Sequence, residues 1–311
     1  MTNLAIAADG LCKSYGEKTV LDGIDLAVPE GTIFSLLGPN GAGKTTTVQI
    51  LSTSIPADGG TVQVVGHDPA REPDDVRGAI GVTGQYSAVD KLLTGEENLL
   101  LMADLWHLPR RDGRRKAAEL LERFDLVDAA GKTAQTYSGG MQRRLDLAMT
   151  LVGDPRLIFL DEPTTGLDPR SRRSMWQIVR ELVASGVTIF LTTQYLEEAD
   201  ELADRIALLD HGRLVAEGTA DELKRLIPGG HIELTFTGAH HLDAARDLIG
   251  TGSADPETLT LRVPSDGGVR MVRDILVALD GRSIDVAGLS VHTPDLDDVF
   301  LALTDRQKEA V

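Results

Sequence analysis

The stretch Gly38-Pro39-Asn40-Gly41-Ala42-Gly43-Lys44-Thr45-Thr46 constrains this chain more than any other. It follows the apolar run Ile33-Phe34-Ser35-Leu36-Leu37, which reads as a buried strand, and leads into Thr45–Leu51, which reads as a helix. A strand, a glycine-rich turn and a helix in that order make a phosphate loop. Gly38, Gly41 and Gly43 let backbone N–H groups approach phosphate oxygens with no Cβ in the way. The helix N-terminus adds free N–H groups and partial positive charge. Lys44 is then placed to reach the β- and γ-phosphates of a nucleotide, and the Thr45 hydroxyl to ligate Mg2+.

Composition narrows the setting. With 311 residues there is room for one large domain and one small one. A net charge of −17 argues against a nucleic-acid surface, which needs clustered positive charge. The one basic run, Arg110-Arg111-Asp112-Gly113-Arg114-Arg115-Lys116, reads as a solvated loop and helix start. No apolar run is long enough to span a membrane, and the N-terminus, with Asp9 and Lys13, lacks a signal-peptide pattern. Cys12 is the only cysteine, which excludes an internal disulfide and fits a reducing compartment. The histidines show no metal-ligand spacing.

Before the phosphate loop, Leu4–Ala8, a stretch around Lys13–Tyr15, and Ile24–Val28 read as short strands separated by glycine turns. Tyr15 is a candidate for stacking on a base. Thr61–Val65 and Gly78–Thr83 read as further strands, the latter running to Gly84-Gln85. Thr94-Gly95-Glu96-Glu97 is a capping box that opens a leucine-rich helix ending before Pro109, and a second helix is expected over about Arg114–Phe124. Both belong to an inserted helical lobe, about 86–136.

The second half supplies the complementary chemistry. Tyr137-Ser138-Gly139-Gly140-Met141 opens a helix, and paired glycines at a helix start are again an anion site. Leu157-Ile158-Phe159-Leu160 reads as a strand covered on both faces, delivering Asp161 and Glu162 at its C-terminal end. Asp161 is a candidate Mg2+ ligand and Glu162 a candidate to polarise attacking water. A loop through Asp168-Pro169 leads to a helix over Arg172–Ala184, and Val187–Leu191 reads as a strand ending at Thr192-Thr193-Gln194. A helix Leu196–Ala203 and a hairpin, Ile206–Leu209 with Leu214–Glu217, complete a domain over 1–226. After a linker at 227–231, residues 232–311 read as a small α+β domain. Its last helix, Leu296–Leu303, carries Leu296, Val299, Phe300 and Leu303 on one stripe, to close its own core or to pack on a partner.

With these residues in order, about 3–225 of the chain resembles the ATP-binding subunit of ABC transporters. Tyr15 matches the aromatic that stacks on adenine, Gly38–Thr45 the Walker A loop, and Gln85 the glutamine that touches Mg2+ and senses the membrane subunit. Tyr137–Met141 matches the signature sequence, Leu157–Glu162 the Walker B strand with its catalytic glutamate, and Gly166-Leu167-Asp168 the loop that pairs across a dimer. Val82-Thr83-Gly84-Gln85, Asp168-Pro169-Arg170-Ser171-Arg172 and Val299-Phe300-Leu301-Ala302-Leu303-Thr304 look more narrowly like the daunorubicin-resistance drug exporter ATPases. Met141 stands in place of the usual signature glutamine, and Gln194 where most such ATPases carry a histidine facing the γ-phosphate.

The resemblance implies an α/β P-loop NTPase core with an antiparallel β subdomain and the inserted helical lobe, plus the C-terminal α+β domain. It implies a homodimer in which Gly38–Thr46 of one chain and Ser138, Gly139, Gly140 and Met141 of the other, with Asp168, enclose each ATP. Lys44, Glu162 and Gln194 are the implied catalytic residues, and Thr45, Gln85 and Asp161 the implied Mg2+ ligands. The implied setting is the cytoplasmic membrane face, against separate permease subunits that export drugs or other hydrophobic compounds. Export of a lipid, polyketide or polysaccharide, and a soluble ABC ATPase, are the rival readings.

Overall fold

The computed structural model of the chain describes residues 3–84, 88–227, 230–265, 268–292 and 294–308. Two compact units divide between Ala220 and Asp221, close to the boundary expected after residue 226.

The first unit begins with a long hairpin, β1 (Leu4–Tyr15) and β2 (Lys18–Pro29). The expected short strands are segments of this one hairpin. Gly10 and Gly23 do not end the strands, because register shifts beside them take up the extra residues as bulges. Next come β3 (Ile33–Leu37), α1 (Lys44–Leu51) and β4 (Gly59–Val64), the last pairing with β1 to complete the sheet β2-β1-β4. A short helix, α2 (Pro73–Ala79), precedes β5 (Ile80–Thr83) where a longer strand was expected. The lobe helices are α3 (Gly95–Leu105) and α4 (Arg110–Arg123). The capping box at Thr94 is formed, with Glu97 N donating to Thr94 Oγ1 and Thr94 N to Glu97 Oε2. The basic run Arg110–Lys116, expected to be partly loop, lies wholly within α4 because Pro109 serves as its N-cap. Then follow α5 (Gly139–Thr150), β6 (Leu157–Asp161), α6 (Pro169–Ala184), β7 (Thr188–Thr193), α7 (Leu196–Leu202), β8 (Arg205–Asp210) and β9 (Arg213–Gly218).

The main sheet runs β5-β6-β7-β3-β8-β9, parallel except for the antiparallel edge β8–β9. Alternation along its central strands builds two cores, because successive side chains point to opposite faces. Phe34, Leu36, Leu157, Phe159 and Phe190 pack with the antiparallel sheet and α1. Ile158, Leu160, Ile189 and Leu191 pack with α3, α4, α5 and α6. Phe34, Phe190 and Phe159 lie in register on adjacent strands, with ring centroids 5.7 and 5.6 Å apart. Such pairs add about 0.5–1.5 kcal/mol each beyond burial. This interior fixes β3, β6 and β7 side by side, so their C-terminal ends open on one edge of the sheet, where ligands of α/β sheets bind.

Helix α8 (Ala220–Lys224) stands at the division of the units. The second unit is β10 (His231–Phe236), α9 (Ala239–Ile249), β11 (Ser253–Asp255), β12 (Thr260–Pro264), α10 (Val269–Asp280), β13 (Val286–His292) and α11 (Leu296–Lys308). Its sheet order, β11-β12-β10-β13, makes an antiparallel βαββαβ arrangement around Ile232, Leu234, Phe236, Leu261 and Val263. In α11, Leu296 and Val299 are buried, whereas Phe300 and Leu303 are half-buried.

Candidate active site

Glycine is required at two positions of the phosphate loop. A Cβ on Gly38 would stand 2.2 Å from Leu209 O, and Gly43 has φ +116° with Leu21 Cδ2 2.6 Å from an added Cβ. The loop is tied to the sheet on both sides: Gly38 N donates to Thr193 O at 3.2 Å and Gly212 N to Ala42 O at 3.1 Å. Ala42 is buried, Pro39 and Thr46 are half-buried, and Asn40, Gly41 and Thr45 are exposed, so the loop presents one edge outward.

Lys44 is buried, and its Nζ donates to Gly38 O at 2.8 Å and Pro39 O at 3.1 Å. It also stands 3.6 Å from Glu162 Oε1. Burial pushes the ammonium below the usual lysine range, while Glu162 and Asp161 pull the other way. Thr45 Oγ1 lies 3.4 Å from Asp161 Oδ1. The same Asp161 oxygen accepts from Thr192 Oγ1, a fully enclosed hydroxyl at the end of β7. Two hard oxygen donors, one hydroxyl and one carboxylate, thus converge beside a fixed cation, a donor set that suits Mg2+.

Glu162 has φ +50°, a left-handed conformation that costs a non-glycine residue roughly 1–2 kcal/mol. Its N–H donates to Thr192 O at 3.0 Å, and Thr165 Oγ1 donates to its Oε2 at 3.4 Å. Gln194 occupies the bend between β7 and α7 and is half-buried. Tyr15 is 51 % exposed, so it is no core residue, and Lys13 Nζ stands 5.6 Å from its ring centre. Gln85 lies outside the described residues.

The second surface expected from sequence lies at the start of α5. Ser138 is its N-cap, with Oγ accepting from Met141 N at 3.3 Å. Ser138 and Gly139 are exposed, and Gly140 and Met141 half-buried. A Cβ on Gly140 would meet Ser171 Oγ at 2.6 Å, which is why this helix start packs so closely on α6. Asp168 caps α6, its Oδ1 accepting from Arg170 N and Ser171 N at 3.0 Å and its Oδ2 from Ser171 Oγ at 2.6 Å. These bonds hold its carboxyl below the usual range. A recess of about 210 Å³ opens here, lined by Ser138, Gly140, Met141, Arg144, Arg170 and Ser171 among others.

Lys44, Thr45, Asp161 and Glu162 are therefore brought together, and Ser138–Met141 with Asp168 form a separate surface. Thr192 and Arg143 were not singled out from sequence. A polar residue at the end of an apolar strand, or near the acid in Arg143-Arg144-Leu145-Asp146-Leu147, is the signal that was available.

Comparison with known proteins agrees with this geometry. The family described as "ABC transporter" matches residues 21–165. "Daunorubicin resistance ATP-binding protein DrrA2" of Streptomyces coeruleorubidus is 49 % identical, over 99 % of this chain and 98 % of its own length. "Daunorubicin/doxorubicin resistance ATP-binding protein DrrA" of Streptomyces peucetius is 48 % identical, over 96 % of this chain and 92 % of its own. Among solved structures, "Structure of ATP binding subunit of ABC transporter" superimposes with a TM-score of 0.64 at 28 % identity, covering 72 % of this chain and 93 % of that one.

Proposed function

Because this chain belongs to the ATP-binding proteins of ABC transporters, an ATPase family, we propose that it drives export of drugs or other hydrophobic compounds through a separate membrane permease. The observation that carries the reading is the convergence of Lys44, Thr45, Asp161 and Glu162 where β3 and β6 end, with Lys44 Nζ 3.6 Å from Glu162 Oε1. The two relatives above, 49 % and 48 % identical over nearly the whole chain, bear names of drug resistance, which favours such a cargo.

In this reading the loop N–H groups of Gly38–Thr46 and the start of α1 hold the ATP phosphates, and Lys44 carries their charge. Tyr15 stacks on the base. Thr45, Asp161 and Gln85 hold Mg2+, which when bound neutralises charge on the phosphates. Glu162 orients the attacking water and takes its proton, and Gln194 holds that water without titrating. A second copy presents Ser138, Gly139, Gly140, Met141 and Asp168 to the same nucleotide, making a homodimer peripheral to the cytoplasmic membrane face. Among the described residues, no helix is long and apolar enough to cross a membrane.

Glu162→Gln tests the assignment, since it keeps size and removes the base. We expect ATP binding to persist and hydrolysis to fall by about a hundredfold or more. Wild-type steady-state hydrolysis in that variant would refute it.

A further inference from the structure

Arg143 joins three parts of the site. Its Nε donates to Pro163 O at 2.9 Å and its Nη2 to Asp161 O at 3.2 Å, so one guanidinium grips the carbonyls on both sides of Glu162. Its Nη1 donates to Gly84 O and to Asp146 Oδ2, both at 3.0 Å. Asp146 Oδ1 accepts from Ala88 N at 2.9 Å. The two side chains are enclosed, only 12 % and 3 % exposed.

A buried ion pair is a poor device for stability, since apolar residues of similar volume often serve as well or better. What an apolar residue cannot supply is a rigid fork of donors. Here that fork lands on the carbonyls of the residues before and after Glu162, whose φ of +50° is disfavoured and must be held from outside. Thr192 O takes the Glu162 N–H from the β7 side, and Arg143 takes the flanking carbonyls from the α5 side. Asp161 O belongs to the peptide entering Glu162, and Thr165 N holds the carbonyl of the peptide leaving it at 3.3 Å. Pro163, whose ring fixes φ, carries the second Arg143 bond one peptide further, so the direction of the Cα–Cβ bond is set and the reach of the carboxylate with it.

We infer that Arg143 is the positioning residue of Glu162, and that the Arg143–Asp146 pair ties the carboxylate's geometry to helix α5. The inference rests on the assignment of Glu162 proposed above. It has a consequence for the dimer. The helix whose Ser138–Met141 end meets the nucleotide of one copy grips, one turn later, the water-orienting glutamate that serves the other nucleotide. Displacement of α5 is thereby felt at Gly84, Ala88 and Glu162 together.

The test uses the full-length chain, with steady-state ATP hydrolysis and calorimetric binding of a non-hydrolysable ATP analogue. Arg143→Met is expected to lower kcat by about 10- to 100-fold, the scale of a slightly misplaced catalytic group. KM and analogue affinity are expected to stay within about threefold. The double variant Arg143→Met/Asp146→Leu removes both charges, so that no acid is stranded. It is expected to recover the melting temperature of the parent chain while kcat stays low. Arg143→Lys keeps the charge opposite Asp146 but cannot span both carbonyls, so it is expected to retain the melting temperature and the analogue affinity with a low kcat. Wild-type kcat in any of these three variants, when folded, overturns the inference, as does a fall in kcat matched by an equal fall in analogue affinity. Glu162→Gln measured alongside separates the two levels. If it hydrolyses ATP normally, the site assignment fails; if it is inactive while the Arg143 variants are normal, only the role of Arg143 fails.

Discussion

Replacing Thr192 by valine removes one hydroxyl and leaves the side-chain shape nearly intact. That hydroxyl is 0 % exposed and donates to Asp161 Oδ1, while Asp161 itself is 3 % exposed. The other donor to this oxygen, Thr45 Oγ1, stands at 3.4 Å, beyond the usual range for an O–H···O bond. Thr192 is thus the stronger hold on the Asp161 carboxylate. A hydrogen bond to a charged group contributes about 1.5–3 kcal/mol, and an outer partner of a metal-binding carboxylate typically affects metal affinity or activity by about 10- to 100-fold. The two scales agree, because tenfold is about 1.4 kcal/mol. We expect Thr192→Val to raise the Mg2+ concentration giving half-maximal ATP hydrolysis by about 10- to 100-fold. The assay is a Mg2+ titration at saturating ATP. Thr192→Ser, which restores the hydroxyl, is expected to return the midpoint to within about threefold of the parent. A Thr192→Val chain with the parent's midpoint and kcat would refute the reasoning.

Two further outcomes are expected. Burial pushes the Glu198 carboxyl above its usual range, against the pull of Thr193, Thr164, Trp176 and Arg172. The folded chain therefore binds an extra proton from about pH 4.5 upward to that raised value, and stability is fullest below the window and declines as pH rises through it. Glu198→Gln keeps an acceptor for Thr164 Oγ1 and Trp176 Nε1 and cannot titrate, so denaturant melts from about pH 4.5 to about pH 8 are expected to show a shallower decline; an identical decline would remove Glu198 as its source. Gln194→Ala is expected to lower kcat while ATP affinity stays within about threefold, because the lost bond matters most in the transition state. Wild-type kcat would leave Glu162 to act without it.

Much of the fold was legible because its signals are local and redundant. The run Ile33–Leu37 before glycine, the Thr94–Glu97 box, and the apolar run from Leu157 each need only their neighbours in sequence to be read. Helix α2 was missed because Val76 is the only residue it buries, so it has no periodicity to detect, and Pro73 at its first turn reads equally as a loop. Strand β11 was missed for a similar reason: three residues, Ser253–Asp255, pair with β12 as an edge hairpin without an alternating pattern. The hairpin β1–β2 was read in pieces because glycine is a break signal, and only the pairing partner shows that a bulge has absorbed it.

The candidate site was legible by residue type and not by restraint, and Glu162 shows why. Pro163 follows it, which disfavours the right-handed helical region and points to an extended residue. The structure instead gives φ +50°. Nothing in Asp161-Glu162-Pro163-Thr164 announces that conformation, because the groups that hold it are remote in sequence: Thr192 thirty residues on, and Arg143 on a helix before the strand. Arg143 itself stands beside Arg144, whose Nη1 reaches only Phe124 O and the Asp125 backbone and carboxylate at the lobe surface. Two adjacent arginines therefore look alike in sequence and do different things, one tying α5 to Phe124 and Asp125 of the lobe, the other gripping the carbonyls around Glu162. What separates them is Asp146, a lone acid between Leu145 and Leu147 on the buried side of α5. An acid in that place needs a cation at i−3 or i+4, and i−3 is Arg143. Buried polar residues inside apolar runs are thus where a sequence carries its restraints, and each becomes readable once its partner is sought at helical or sheet spacing.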